Sequence, residues 1–274
     1  MSLTIALATR GRAPILKRTL DRTIPNLFLE DTRLLVLVDD DDEETLEAKL
    51  PSRVEKFIRP RPDSVGGKFN AAVKAAPADV YLAMVDYVAY VTPGFDQKIL
   101  DANVFPDGIG VIYNHMANLS FPYMNAVTQG YVDATGEMYP EDFPYWFVDH
   151  WLDDIARMID RIAVADVRPF SDFKPPTQSH REPAFWATLF DCLMLDRRRI
   201  ARRIIDSKEF IEPEWRKTLL RSAHTLIEER SLMVNNMVKE MAALDTTTDE
   251  RYERIRARAV ETMNRLIPEI EAAA

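Results

Sequence analysis

DSVGGKFNAAVKAAPADVYLAMVDYVAYVTPGFD, from Asp63 to Asp96, governs how the rest of the chain is read. Gly66, Gly67, Lys68 and Asn70 lead into a short helix expected over Asn70 to Ala76. An apolar strand is expected from Val80 to Val85, ending on a single acid, Asp86, ahead of a Thr92-Pro93-Gly94 turn. An acid at the carboxyl end of a buried parallel strand stands where open α/β sheets bind ligands.

The flanking sequence alternates strand and helix signals in the same way. Leu3 to Ala8 is a short apolar run ending in the turn Thr9-Arg10-Gly11-Arg12, after which Pro14 suits a first helical turn. Ile15, Leu16, Leu20 and Ile24 give a helical stripe. Leu34 to Val38 is apolar at every position, as a strand covered on both faces should be, and it runs into Asp39-Asp40-Asp41-Asp42. A helical stretch near Glu43 to Leu50, a third strand over Val54 to Ile58 and a fifth over Ile109 to Tyr113 complete a βαβαβ order. That order implies a mostly parallel sheet with right-handed crossovers.

From about Asn114 to Pro183 the pattern breaks up among prolines and aromatics. Val127 to Asp133 and Ile162 to Val167 read as further strands, and Asp149 to Ile159 as a helix. One helix is expected over Ala184 to Ser207, a second after Pro213, and a third opened by the capping pair Thr247 and Glu250. Leu219, Ala223, Leu226, Ile227, Met233, Met237 and Met241 fall at helical spacing, as do Tyr252, Ile255, Ala259, Met263, Leu266, Ile267 and Ile270. The division expected is an α/β domain over 1–183 and a helical extension over 184–274, serving packing or a homo-oligomer contact.

Charge and composition exclude several classes. The net charge of −9 lies wholly in residues 1–184, because the remainder carries 16 acids and 16 bases. An acidic first part argues against broad nucleic-acid binding, which needs basic surface. The arginines 197, 198, 199, 202 and 203 spread around a helix instead of lining one stripe, so nucleic acid is not the expected partner; a transferase acting on modified bases in DNA would be the exception. One cysteine, Cys192, excludes a disulfide framework within the chain, and no apolar run reaches the ~18 residues of a membrane span. A cytoplasmic protein without a membrane span is expected.

Taken together, the ordered motifs resemble the GT-A fold, and especially the inverting family 2 glycosyltransferases, over roughly residues 3–168. Thr9-Arg10-Gly11-Arg12 matches the turn beside the nucleotide, and Val38-Asp39-Asp40 matches the acidic end of the second strand. Asp41-Asp42-Glu43 departs from that family's Gly-Ser-Thr-Asp continuation. Gly67-Lys68-Phe69-Asn70 matches a glycine and basic-asparagine helix start, and Asp86 with Pro93-Gly94-Phe95 matches the metal-binding acid cluster and its following turn. Tyr87 and Val88 stand where relatives carry a second or third acid.

The resemblance implies a mostly parallel GT-A sheet with a C-terminal helical extension. It also implies transfer of a sugar from a nucleoside diphosphate sugar to an acceptor hydroxyl with inversion. Thr9, Arg10, Arg12, Asp39 and Asp40 would hold the nucleoside, Gly67, Lys68 and Asn70 the diphosphate, and Asp86 the donor ribose or a metal. Mn²⁺ or Mg²⁺ is the implied cofactor, with Asp86 and His150 as ligands. The catalytic base would come from Phe147-Val148-Asp149-His150-Trp151-Leu152-Asp153-Asp154, where a helix start favours ionised acids; Asp149 is the first choice, then Asp153, then Asp154. The same residues leave two other classes open. One is a nucleotidyltransferase, for which Thr9 to Arg12 lacks the glycine-rich loop. The other is a binding or assembly protein whose donor site has decayed at Tyr87.

Overall fold

The computed structural model describes residues 1–114, 124–171, 182–211 and 250–273. The expected strands form where apolar runs can be covered on both faces. β1 (Leu3–Ala8) lies between β2 (Arg33–Asp39) and β4 (Val80–Val85), parallel to both, with Ile5 level with Leu34 on one side and Leu82 on the other. β3 (Val54–Arg59) is the parallel edge strand beyond β2, and its mixed sequence leaves it partly exposed. The full order is β3-β2-β1-β4-β7-β6-β8, with β6 at Val111–Asn114, β7 at Ala126–Thr128 and β8 at Ile162–Ala165. β7 is antiparallel to both of its neighbours. Its insertion converts a parallel sheet into a mixed one.

Alternation along the strands divides the sheet into two faces. Leu3, Ile5 and Leu7 share one face with Leu34, Val36, Val38, Val80, Leu82 and Met84. Leu16 and Leu20 of α1 (Ala13–Thr23) and Phe95, Ile99 and Leu100 of α4 (Phe95–Asp101) close over it. Each fully buried leucine of this kind stabilises the fold by about 1.5–3 kcal/mol. α3 (Val65–Ala75) belongs to the opposite face, where Thr4 Oγ1 donates to the Ala76 carbonyl at 3.3 Å. Phe69, Ala72 and Val73 of α3 are buried there. α2 (Glu43–Glu47) is short, and a two-residue strand β5 (Ala89–Tyr90) pairs antiparallel with β9 (Pro169–Phe170).

Two readings of the sequence need correction. Val127 to Asp133 is not one strand, because the chain leaves β7 at Thr128 and enters α5 (Gln129–Thr135). Thr128 is the reason: its hydroxyl accepts from the Tyr131 N–H at 3.1 Å and caps the helix. Ala184 to Ser207 is two helices, α7 (Pro183–Cys192) and α8 (Met194–Ile205), broken at Leu193. The expected helix pattern from Leu219 to Met241, the turn at Pro213 and the cap at Thr247 lie outside the described residues. The last helix, α9 (Glu250–Ala273), carries its expected stripe, with Tyr252, Ile255, Ala259, Met263 and Leu266 buried.

The chain divides into two compact units assembled from interleaved segments. One comprises Met1–Arg61, Lys68–Met138 and Arg161–Pro176, and holds the sheet; the other comprises Pro62–Gly67, Tyr139–Asp160 and Thr177–Ala274. The second unit packs α6 (Val148–Met158) with α7, α8 and α9 around Phe143, Phe147, Trp151, Trp186 and Phe190. Arg197 of α8 is 1% exposed, lies 2.9 Å from Asp154 Oδ2, and sits 3.7 Å above the Phe190 ring. The arginine run thus spends one member on the interior of its own unit, while Arg199 and Arg202 pair with Asp196 and Asp206 along the helix.

Candidate functional site

In the sheet unit, the carboxyl ends of β1, β2 and β4 bring together Thr9, Asp39 and Asp86. Asp86 is fully buried. Its Oδ2 accepts from Thr9 Oγ1 at 2.7 Å and lies 2.9 Å from Arg12 Nε, while its backbone carbonyl accepts from Thr19 Oγ1 at 2.6 Å. Oδ1 is enclosed and has no hydrogen-bond partner among the described residues. Burial pushes the carboxyl above its ordinary range, with the Arg12 charge and the Thr9 hydroxyl opposing it. Tyr87, the departure from the acidic cluster, lies with its ring 5.9 Å from the Arg12 guanidinium.

Asp39 is the second buried acid, and three cations surround it. Lys68 Nζ lies 2.9 Å, Arg10 Nη1 3.1 Å and Arg61 Nε 3.9 Å from its Oδ2. Lys68 Nζ also donates to the Thr9 carbonyl at 3.1 Å, so it joins the β1 and β2 ends. Burial draws the Lys68 ammonium below its usual range, although Asp39 opposes the shift. A desolvated cation of this kind stands to gain from a further negative charge brought beside it.

The remaining acids of the 39–44 run have a structural task. Asp41 takes both guanidinium nitrogens of Arg10, at 2.5 and 3.0 Å. Asp42 Oδ2 accepts the Gly11 N–H at 2.9 Å and Glu44 Oε1 accepts the Ala13 N–H at 3.0 Å. The acidic loop after β2 therefore staples the loop after β1 into one shape, with Gly11 at φ +58°. Asp42 also caps α2 through the Thr45 N–H. Asp40 is exposed, and its N–H continues the ladder to the Arg59 carbonyl at 2.9 Å.

Three expected site residues are engaged elsewhere. Asn70 Oδ1 accepts the buried Met138 N–H at 3.0 Å. Gly67 donates its N–H to Ser64 Oγ at 3.0 Å. His150 is 1% exposed, with its ring centroid 5.4 Å from Phe147 and 6.1 Å from Phe190, in the second unit. Among the described residues no group of three or more His, Cys, Asp or Glu side chains gathers as a metal cage.

Pro93-Gly94-Phe95 anchors the scaffold. Gly94 has φ +65° and lies against the Phe28 ring, so that a Cβ would meet Phe28 Cδ2 at 2.7 Å. Phe95 stacks on Tyr90 at 4.8 Å. The next residue, Asp96, is fully buried and accepts from the N–H groups of Phe28 and Leu29 and from Thr32 Oγ1 at 2.9–3.1 Å.

In the second unit, Asp149 stands in the first turn of α6 and is half-buried. Desolvation, with a smaller contribution from the Asp153 charge, pushes its carboxyl up to about 7. Asp153 is held by Arg157 Nε at 2.9 Å, and Asp154 by Arg197. Of the three, only Asp149 stands in the first turn of the helix. Phe147, with φ +72°, sets the entry into this helix.

No protein-family model matches this sequence, and no curated protein matches it either. Solved structures do. S. aureus TarS 1-349 in complex with UDP-GlcNAc superimposes with a TM-score of 0.55 at 11% identity, over 100% of this chain and 92% of that one. The mannosyltransferase PcManGT from Pyrobaculum calidifontis, in complex with GDP-Man and Mn²⁺, superimposes with a TM-score of 0.53 at 12% identity, over 97% of this chain and 86% of that one. The fold is therefore GT-A, the α/β architecture of nucleotide-sugar transferases. No helix among the described residues is long and apolar enough to cross a membrane.

Proposed function

We propose that the chain is a glycosyltransferase that moves a sugar from a nucleoside diphosphate sugar to an acceptor hydroxyl, with inversion. The observation that carries this reading is the pair of buried strand-end acids, Asp39 and Asp86, ringed by Arg10, Arg12, Arg61 and Lys68 at the carboxyl edge of a GT-A sheet. Such an edge is where this architecture takes ligands. The cations match the charge that a diphosphate leaving group develops.

Asp39, Asp40, Thr9 and Arg10 are assigned to the nucleoside. Lys68 is assigned to the diphosphate, beside the Gly67 to Asn70 start of α3, and Arg12, expected from the sequence at the nucleoside, is reassigned to the diphosphate because its Nε lies 2.9 Å from Asp86. A divalent metal fits one atom here, the enclosed and unpartnered Asp86 Oδ1. Mg²⁺ and similar ions bind through one or two carboxylates plus substrate phosphates, so a single protein oxygen suffices when the nucleotide supplies the rest. Bound there, the metal would neutralise the departing diphosphate. His150, enclosed by Phe147 and Phe190, is not needed for that set.

Asp149 is assigned as the base. Its carboxylate takes the proton of the acceptor hydroxyl as that oxygen bonds to the anomeric carbon. The bond from the anomeric carbon to the diphosphate oxygen breaks, and its electron pair leaves with the diphosphate. A pKa of about 7 suits this task, because a base works best when its pKa lies near the working pH. Asp153 is the second choice, since its carboxylate is committed to Arg157.

Calorimetry with UDP, GDP, CMP, dTDP and the matching sugar nucleotides, each with and without Mn²⁺, tests the reading. Saturable binding of one nucleotide that Asp86→Asn weakens supports it. A folded protein silent across the panel sinks it, in favour of a GT-A protein kept for binding or assembly.

A further inference from the structure

The geometry points to Tyr87 as a positioning residue for the donor diphosphate, its ring bracing the Arg12 guanidinium beside Asp86; the assignment rests on the transferase reading above. Tyr87 sits in a tight turn at the end of β4, in which the Val88 N–H returns to the Val85 carbonyl at 3.2 Å. Its two neighbours are withdrawn from solvent, Asp86 fully and Val88 to 1% exposure, while Tyr87 is half-buried. Arg12 reaches the same place from the start of α1 and meets Asp86 Oδ2 with Nε at 2.9 Å. Its guanidinium carbon lies 5.9 Å from the centroid of the Tyr87 ring, within the ~6 Å over which an aromatic ring attracts a cation. One frame fixes both partners. Thr19 Oγ1, further along α1, donates to the Asp86 carbonyl at 2.6 Å, so the helix that Arg12 caps also clamps the turn that carries Tyr87.

A ring does here what a second carboxylate could not. Asp86 engages Arg12 at Nε, the innermost nitrogen of the guanidinium, and a contact through Nε does not require the N–H donors on Nη1 and Nη2. An acid at position 87 would compete with a diphosphate for those donors and cancel the positive charge. The face of a phenol ring attracts the cation through its quadrupole and leaves the charge intact. An arginine side chain also loses rotamer freedom when it clamps a ligand, and one that is already held in place loses less. Tyr87 therefore acts through Arg12, on the diphosphate and not on the nucleoside.

The experiment compares UDP, GDP and dTDP with uridine, guanosine and thymidine by calorimetry, with Mn²⁺ and with EDTA, on wild type, Tyr87→Leu and Tyr87→Phe. Leucine removes the ring, and phenylalanine keeps the ring without the hydroxyl. Tyr87→Leu is expected to weaken the nucleoside diphosphate that wild type binds by about 3- to 10-fold and to leave its parent nucleoside unchanged. Tyr87→Phe should bind both as wild type does. A leucine variant that binds the diphosphate as wild type does overturns the assignment. So does an equal loss for diphosphate and nucleoside, which marks a structural or base-contacting tyrosine. A phenylalanine variant as weak as the leucine variant also overturns it, because the hydroxyl and not the ring would then carry the effect. Should Tyr87→Leu not fold, Tyr87→Gln, which also lacks a ring, is read by the same criteria. Wild type that binds none of the nucleotides refutes the transferase reading and this assignment with it, whereas wild-type binding without a selective loss in the variant refutes this assignment alone.

Discussion

Arg12 Nε lies 2.9 Å from a carboxylate, Asp86, that is wholly withdrawn from solvent, while Arg12 itself remains 24% exposed. The arginine thus connects a buried acid to the outside. Removing it strands the acid. Arg12→Leu is expected to lower unfolding free energy by about 3 kcal/mol, the low end for breaking a buried pair because one partner is partly solvated. Arg12→Leu combined with Asp86→Asn should recover much of that loss. Urea denaturation of wild type and the two variants decides; a single-variant loss near 0.5 kcal/mol would match an ordinary surface change instead.

Asp149 gives opposite signs for stability and for turnover over one pH range. Its folded pKa of about 7 lies above the ordinary 3.8, so the native chain holds a proton that the unfolded chain releases. Its contribution to stability is therefore full below about pH 4 and is lost as the pH rises to about 7. Turnover needs the ionised form and should climb through the upper part of the same window. Asp149→Asn is expected to flatten the pH dependence of the urea midpoint and to abolish turnover, while donor affinity stays as in wild type. A midpoint profile that keeps its slope in the variant would contradict the assignment.

Asp96→Ala tests the scaffold without touching the assigned site. The fully buried carboxylate serves the Phe28 and Leu29 N–H groups and the Thr32 hydroxyl, all of which lose their acceptor. Hydrogen bonds to a charged group contribute about 1.5–3 kcal/mol each in favourable cases, so a loss of about 3 kcal/mol is expected. Nucleotide affinity at low temperature should be retained. Loss of affinity with unchanged stability would mean that Asp96 has a ligand role.

Gly66→Ala separates packing from ligand contact at the start of α3. A Cβ at Gly66 collides with the backbone carbonyl of Pro140, which cannot yield as a side chain would. At Gly67 the nearest neighbour is Pro62 Cβ at 3.1 Å, a tight but yielding contact. Thermal unfolding should show a larger Tm decrease for Gly66→Ala than for Gly67→Ala. The reverse order would refute the packing argument.

The parts of this molecule that announce themselves in sequence are those where one physical rule acts alone. β1, β2 and β4 are mostly apolar because both faces are covered; the Thr9-Arg10-Gly11-Arg12 turn places the end of β1, and the acids that follow place the ends of β2 and β4, within a residue. α5 was hidden because Val127, Tyr131 and Val132 mimic a buried strand, and only the Thr128 cap reverses the reading. The break at Leu193 was equally invisible, since no glycine or proline marks it. Within the site, Asp39, Asp86 and Lys68 were legible from position. Arg61 was not, because its place beside Asp39 depends on β3 lying next to β2. The staple formed by Asp42 and Glu44 was missed for the same reason: a long-range bond from a side chain to a backbone N–H leaves no periodic trace.

The interleaving of the two units constrains how this chain can be made. The sheet unit takes its last segment from Arg161–Pro176, which brings β8 alongside β6. A growing polypeptide therefore cannot finish its sheet until Ile162–Ala165 has left the ribosome, and no single cleavage would release either unit whole. Engineers seeking a minimal fragment will find no seam to cut along.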